Sequence, residues 1–248
     1  MVSTKCLAGL LAAATLVSAR TPSGFTPGST TDLIVIYNGV VAMNGAVIPR
    51  ASTADQPMVG ILTKPSGTSF AIVMIDLDIP SQNGSSETNT LLHWMQTGLT
   101  PAAQATRVNT TTGQISVFLL QNTSNTTPLA AYIPPNPPAR VPLSHRYTQI
   151  LVDTSGVTTN SLGALRTAAT NRLGFAAQTV LGQAGLDGKV VAGNFYNVTN
   201  PGPVNGTAGT GGGTGAGGGG PRLTGGAGRV GPTLGLVAGL AAGVAVML

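Results

Sequence analysis

Phe70-Ala71-Ile72-Val73-Met74-Ile75-Asp76-Leu77-Asp78-Ile79-Pro80-Ser81 joins an apolar run to a polar end. The run 70–75 is short and apolar at both odd and even positions. This pattern predicts a strand in the middle of a sheet, with both of its faces buried. Asp76 and Asp78 follow directly, at the end of the predicted strand.

The rest of the folded region is also dominated by strand signals. Short segments rich in β-branched and aromatic residues, bounded by Gly, Pro, Asn or Ser, occur at 33–37, 58–62, 115–120 and 147–152, and a last one at 190–198 follows the Asp187-Gly188 turn. Helical periodicity is confined to 162–169 and 175–182, with Gly174 between them. The pattern predicts a mainly β protein, an antiparallel β-sandwich with two short C-terminal helices at one end.

The N-terminal residues are typical of a targeting segment. Lys5 precedes an apolar run from Cys6 to Val17, and the small residues around Ala19 match a signal peptidase site. Cys6 is the only cysteine, so the mature domain has no disulfide and its core must be stable by itself. About 180 residues remain for the folded part, enough for one domain.

The C-terminal residues predict a tether. Residues 206–231 are rich in Gly, with a few Thr, Ala and Pro, which is typical of a flexible stalk, and the uncharged apolar run 233–248 follows them. This arrangement favours a glycosylphosphatidylinositol attachment signal with the anchor in the region 217–227; an ordinary membrane anchor is the alternative. We therefore expect a signal peptide (1–19), a folded domain (20–200), a Gly-rich stalk (201–231) and an attachment signal (232–248), with the protein on the outer face of the plasma membrane or in the cell wall.

Charge and glycosylation signals restrict the partners. The formal net charge is +5, and charged residues make up only 8% of the chain. The basic residues form no stripe and the predicted compartment is extracellular, so nucleic-acid binding is excluded. Sequons that would give a polar glycan coat begin at Asn83, Asn109, Asn122, Asn125, Asn197 and Asn205. We expect most of these six to be used.

Chemically distinctive residues are concentrated in a few fragments. These are residues 76–81, 92–94, 132–138 and 145–147. They contain both histidines, the only tryptophan, two of the seven acidic residues and five of the 17 prolines. Packing alone does not account for this concentration.

The fragments resemble the signature blocks of the phosphatidylethanolamine-binding protein family, which includes Raf kinase inhibitor and flowering-regulator proteins. The first block is Asp76-Leu77-Asp78-Ile79-Pro80-Ser81 with the following His93-Trp94 pair. The second is Tyr132-Ile133-Pro134-Pro135-Asn136-Pro137-Pro138 with the following His145-Arg146-Tyr147. Together with 25–27 and 191–196, the resemblance covers about 25–198, and the predicted ends suggest a secreted, anchored fungal type.

The resemblance implies an anion pocket. It places Asp76, His93, His145 and Tyr147 around a phosphate or carboxylate, with Tyr132, Asn136 and Pro137 in a wall loop. Supporting roles are implied for Asp78, Pro80, Trp94, Pro138 and Arg146. An imidazole can be tuned near neutral pH, and a buried carboxylate can fix its tautomer, so these residue types suit oxyanion binding. One or two of the peptide bonds before Pro80, Pro137 and Pro138 are expected to be cis.

The sequence departs from the family pattern mainly in the wall loop. Pro134 and Asn136 replace residues that are commonly glycine, so one backbone donor is lost and one side chain is added. Leu77 and Ile79 stand where Pro and Ala are usual. The expected pocket is therefore narrower or differently shaped.

We expect a binding or inhibitory module rather than an enzyme, with no cofactor and no metal. Its partner would be a small anionic ligand or phospholipid headgroup, or a secreted protease, with membrane attachment through the lipid anchor. A hydrolase is an alternative, but the sequence lacks Gly-x-Ser-x-Gly, His-Glu-x-x-His and Ser-x-x-Lys. A two-histidine, one-carboxylate metal site and a structural cell-wall glycoprotein with a vestigial pocket are the others.

Overall fold

The computed structural model describes residues 20–81 and 87–200, which contain nine strands and two α-helices. The strands are β1 (Ile34–Tyr37), β2 (Val40–Ala42), β3 (Met58–Ile61), β4 (Phe70–Pro80), β5 (Thr88–Pro101), β6 (Thr106–Thr110), β7 (Gly113–Gln121), β8 (Ser144–Asp153) and β9 (Val190–Thr199). The helices are α1 (Thr159–Ala169) and α2 (Ala177–Gln183), and a 3₁₀ turn spans Arg50–Thr53. Within these residues no helix is long and apolar enough to cross a membrane.

The strands form one antiparallel sheet that nearly closes on itself. Its order is β2-β1-β3-β7-β5-β4-β8-β9, with β6 paired to β7. The two ends of this order meet, because the chain beside β1 and β2 pairs with β9 through the parallel bridges Asp32–Gly193 and Val47–Asn197. The predicted mainly antiparallel β fold is confirmed, and the two halves of the curved sheet enclose the core.

Strand β4 lies between β5 and β8 and is buried on both faces, as the run 70–75 predicts. Phe70, Ile72 and Met74 point into the core between the sheet halves. The alternate residues Ala71, Val73 and Ile75 pack under the helices, against a layer that includes Leu165, Phe175 and Leu181. The helices therefore cover one face of the sheet rather than one end of it, which differs from the prediction.

Local signals explain the bounds of the helices. Thr158 caps α1 by accepting a hydrogen bond from the backbone N–H of Ser161 at 3.2 Å. Gly174 adopts a φ of 73° between the helices, a conformation that few other residues tolerate. These two features fix where α1 begins and how the chain turns toward α2.

Candidate functional site

The ends of three adjacent strands bring the predicted site residues together. Asp76 on β4 lies opposite Tyr147 on β8. His145 is also on β8, two residues before Tyr147. On the other side of β4, Met74 pairs with Trp94 while Ile75 pairs with Leu92.

That register leaves His93 as the extra residue of a β-bulge in β5. A bulge re-aims side chains, and it turns His93 toward Asp76 and Tyr147. The resulting quartet of Asp76, His93, His145 and Tyr147 lies at one end of the core.

Asp76 organises the quartet. Its Oδ2 accepts a hydrogen bond from His145 Nδ1 at 2.7 Å, and its Oδ1 accepts one from the backbone N–H of Asp78 at 2.8 Å. Because a carboxylate can only accept, the proton of His145 is on Nδ1, and Nε2 of the neutral ring carries a lone pair. Nε2 is buried and has no hydrogen-bond partner among the described residues.

His93 is fixed by the wall loop. Its Nδ1 lies 2.8 Å from the carbonyl oxygen of Ile133, which can only accept, so Nδ1 carries the proton. Nε2 then faces Asp76 Oδ2 at 3.9 Å. Burial lowers the pKa of His93 below its usual range, although the Ile133 carbonyl and Asp76 act in the opposite direction. The ring is therefore neutral at pH 7.

Tyr147 supplies a phenol beside the two imidazoles. Its ring lies edge to face with His93 at 5.1 Å between centroids and stacks on His145 at 6.4 Å. Burial, and then the charge of Asp76, raise the pKa of Tyr147 far above its usual value, so the hydroxyl keeps its proton. The hydroxyl is buried and makes no hydrogen bond of ordinary geometry among the described residues, although the Asp76 carboxylate and the backbone N–H of Asn136 lie close enough to act on its pKa.

Asp78 and Arg146 form an ion pair at the edge of the quartet. The backbone N–H and the guanidinium Nε and Nη2 of Arg146 all donate to the Asp78 carboxylate, at 2.7, 2.9 and 2.7 Å. Burial alone would raise the pKa of Asp78, but these hydrogen bonds and the charge of Arg146 lower it. The pair holds the ends of β4 and β8 together.

The wall loop, residues 131–143, closes the quartet from solvent. Pro135 and Pro137 are buried, as is Pro80 on β4, whereas Asn136 is exposed and Pro138 is half-buried. The four quartet side chains are between 0% and 3% exposed. In this structure the quartet is therefore closed to an anion from solvent.

The structure directs Tyr132 away from the quartet. Its hydroxyl donates to the carbonyl oxygen of Thr53 at 2.8 Å, and its ring packs edge to face on Trp94 at 6.2 Å. Trp94 is 1% exposed in the core. The ligand role predicted for Tyr132 thus has no geometric support, because its proton is used inside the protein.

The cis-proline prediction was wrong in its positions. The cis peptide bonds of the described chain precede Pro27 and Pro142, whereas those before Pro80, Pro137 and Pro138 are trans.

Two polar contacts of the site were not predicted. Arg172, in the segment after α1, donates to the carbonyl oxygens of Leu92 and His93 at 3.3 Å. Asn200 donates through its side chain to Pro137 O and through its backbone to Leu143 O, so it ties the wall loop to the end of β9. Both residues are far from the motifs in sequence, and no local pattern marks them.

The sequons differ in accessibility. Asn109 and Asn125 are exposed, whereas the amide nitrogens of Asn122 and Asn197 already donate to Thr126 O and Gly45 O. Asn83 and Asn205 lie outside the described residues, as do the predicted signal, stalk and attachment segments. In the part of the chain that the structure describes, no three His, Cys, Asp or Glu residues are placed to hold a metal ion.

Comparisons with known proteins agree with this fold. Residues 38–195 match the family "Phosphatidylethanolamine-binding protein". A solved carboxypeptidase Y inhibitor in complex with its cognate proteinase is 18% identical, with a TM-score of 0.47 over 70% of this chain and 85% of that chain. A phosphatidylethanolamine-binding protein from Plasmodium vivax is 17% identical, with a TM-score of 0.46 over 71% and 91%. These two likenesses carry no functional argument. No curated protein matches the chain.

The family match covers well over half of the chain, and all four quartet residues fall inside it. The protein belongs to the phosphatidylethanolamine-binding protein family.

Proposed function

We propose that the domain is a binding module whose quartet takes up one small oxyanion, a phosphate, a phospholipid headgroup or a carboxylate. The observation that carries the proposal is a pair of buried polar atoms that make no ordinary hydrogen bond among the described residues, His145 Nε2 and the Tyr147 hydroxyl. Buried polar groups are normally hydrogen-bonded, so two at the same place favour a missing partner. An oxyanion can accept from the Tyr147 hydroxyl, and from His145 Nε2 when both nitrogens of that ring carry protons.

Binding should be coupled to proton uptake. His93 carries its proton on Nδ1 and is neutral at pH 7, so its Nε2 presents a lone pair to the quartet. A lone pair repels an oxyanion, and a protonated ring attracts it. Affinity should therefore rise as pH falls toward the lowered pKa of His93, by up to about tenfold per pH unit for one proton taken up.

The geometry favours binding over hydrolysis. A hydrolase needs an activated nucleophile beside an imidazole. Among the described residues, the hydrogen-bond and ring contacts of the two imidazoles are with Asp76, the Ile133 carbonyl and the Tyr147 ring. The raised pKa of Tyr147 makes its phenol a poor nucleophile.

We also propose that the domain is displayed outside the cell on a lipid anchor, as a secreted fungal-type protein. Support comes from the apolar run after Lys5 and the small-residue and apolar C-terminal pattern. In that location phospholipid headgroups and secreted proteases are the accessible partners. Release from intact cells by a phosphatidylinositol-specific phospholipase C tests the anchor, and retention on the cells would argue against it.

Titration of the purified domain with phosphate, phosphoethanolamine and acetate tests the binding function and separates the anion sources. We expect saturable shifts of both histidine side-chain resonances with at least one anion, and tighter binding at pH 5.5 than at pH 7.5.

His145→Gln should weaken binding at least tenfold. Thr148→Val is the matched control, because Thr148 is also buried on β8 and its hydroxyl has no hydrogen-bond partner among the described residues. Successive side chains of a strand point to opposite faces, so Thr148 faces away from His145 and Tyr147. Absence of a saturable shift with all three anions in a folded sample would overturn the proposal and favour the structural glycoprotein.

A further inference from the structure

A concave region outside the quartet lies where β5 and β7 separate. The two strands pair only through Thr100–Gln121 and Pro101–Leu120 in the described sheet. Next to this short pairing a cleft of about 500 Å³ opens, which we call the Trp94 cleft. Six of its lining residues are Trp94 and Gln96 on β5, Leu119 and Leu120 on β7, and Met58 and Val59 on β3.

The lining of the Trp94 cleft carries no charge. It consists of aliphatic side chains, prolines, the indole and four side-chain amides. Its volume is in the range of small-molecule sites, which are mostly apolar with a few placed polar groups. A charged ligand would lose hydration there without gaining a counter-charge. The chemistry therefore suits a neutral molecule with an apolar body.

The rim of the Trp94 cleft is pre-formed. The Asn122 side chain holds Thr126 by donating to its carbonyl at 2.8 Å and accepting from its N–H at 2.9 Å. Gln96 Nε2 donates to the same carbonyl at 2.9 Å. A Cβ on Gly98, whose φ is 72°, would meet Thr126 Oγ1 at 2.8 Å, so only glycine permits this close approach. A fixed rim lowers the entropic cost of binding.

Trp94, one of the residues that line the cleft, carries a donor with no acceptor in the described part of the chain. The indole Nε1 of Trp94 is buried and lacks a hydrogen-bond partner among the described residues. Buried Trp N–H groups usually find a partner. The Tyr132 ring packs edge to face on Trp94, but its hydroxyl makes no hydrogen bond with Nε1.

We propose that the Trp94 cleft binds a small uncharged molecule with an aliphatic body and one carbonyl or hydroxyl oxygen, which accepts from Trp94 Nε1. The proposal goes beyond the oxyanion function, since it uses none of the quartet side chains. An aliphatic ketone or alcohol of medium length has the required size and chemistry.

Intrinsic fluorescence tests the proposal directly, because Trp94 is the only tryptophan of the chain. Octan-2-one and octylammonium are titrated separately into the purified domain; they share an aliphatic chain but differ in charge. We expect a saturable change of Trp94 emission with the ketone, and binding of octylammonium at least tenfold weaker. Failure of the ketone to saturate, or equal binding of the cation, would overturn the proposal.

A pair of double variants localises the ligand. Met58→Phe with Leu119→Phe fills the cleft from both sides and should weaken ketone binding at least tenfold. Leu62→Phe with Ile115→Phe places the same rings at comparably exposed positions outside the lining, and binding should stay within twofold of wild type. Equal loss in both double variants would contradict the assignment to this cleft.

A separate variant tests the proposed hydrogen bond from Trp94 Nε1 to the ligand. It still tests the proposal if the double variant of Met58 and Leu119 does not fold. Trp94→Phe removes the N–H donor and keeps an aromatic ring. Calorimetry should show ketone binding weakened about fivefold, which corresponds to one hydrogen bond. Unchanged affinity would show that Nε1 does not contact the ligand.

Discussion

The quartet and the Trp94 cleft begin at neighbouring residues of β5, yet they differ in almost every physical property. His93 contributes to a buried cluster with one carboxylate and two imidazoles, whereas Trp94 lines an open cleft without charges. The wall loop touches both regions, since the Ile133 carbonyl binds His93 and the Tyr132 ring packs on Trp94. A bulge between paired strands thus allows two chemically unlike regions to share one strand.

The difference shows how each region obtains its specificity. In the quartet the charges are fixed by hydrogen bonds shorter than 3 Å and by burial, so removal of one charge affects the whole cluster. The shape of the Trp94 cleft depends on the close approach of the Gly98 backbone to Thr126 and on the hydrogen bond from the Gln96 side-chain amide to the Thr126 carbonyl. Substitutions should therefore separate the two regions.

Asp76→Asn should have the largest effect. The Asp76 carboxylate accepts from His145 Nδ1 through one oxygen and from the Asp78 N–H through the other. An asparagine amide has one acceptor oxygen and no negative charge, so the buried His145 ring loses its charged partner. We expect a loss of about 3 kcal/mol in the free energy of unfolding, measured with urea, and at least tenfold weaker oxyanion binding. Ketone binding in the Trp94 cleft should stay within twofold.

The control for this variant is Asp153→Asn on β8. Asp153 accepts from the backbone N–H of Ser155 at 2.8 Å in an exposed setting, so its neutralisation should cost less than about 1 kcal/mol. If both substitutions lowered the free energy of unfolding equally, the buried charge of Asp76 would contribute no more to stability than the carboxylate of Asp153.

Gly98→Ala should act on the other region. It places a Cβ against Thr126 and forces a left-handed backbone on alanine, so we expect about 2 kcal/mol of destabilisation and weaker ketone binding. Gly185→Ala isolates the backbone cost, because Gly185 has a φ of 67° and no atom within 4 Å of its Cβ position. That control should lose about 1 kcal/mol and bind the ketone normally. If both variants lose equal stability, Thr126 does not restrict position 98.

The sheet was predictable where the sequence pattern is local. The predicted segment 70–75 lies within β4 and is buried on both faces, and the segments 147–152 and 190–198 lie within β8 and β9. Strand β5 was not predicted, because Thr, Asn and Gly interrupt its apolar residues on both sides of 92–94. Closure of the sheet through Asp32 and Val47 depends on long-range pairing that no local pattern encodes.

The quartet was predictable for a different reason. The ordered motifs resemble a known family, and the structure brings Asp76, His93, His145 and Tyr147 together. The β-bulge at His93 could not be predicted, because it depends on the register between β4 and β5. The Trp94 cleft could not be predicted either, since it is a gap between strands rather than a set of polar residues.

Asp78→Asn should have the smallest effect, and it depends on pH. The folded-state pKa of Asp78 is lowered, so the ion pair with Arg146 stabilises the protein above the unfolded pKa of about 3.9. This contribution is lost as pH falls through the lower folded pKa. The Arg146 side chain is 42% exposed, which limits the contribution to about 1 kcal/mol.

Urea unfolding at pH 6 and pH 3 measures this contribution. Wild type should exceed Asp78→Asn at pH 6, and the difference should shrink toward pH 3 as the wild-type carboxylate is protonated. Because the ion pair lies at the quartet edge and away from the cleft lining, ketone binding should be the same in both proteins at either pH. A constant stability difference across this range would show that packing of the side chain, rather than its charge, stabilises the ends of β4 and β8.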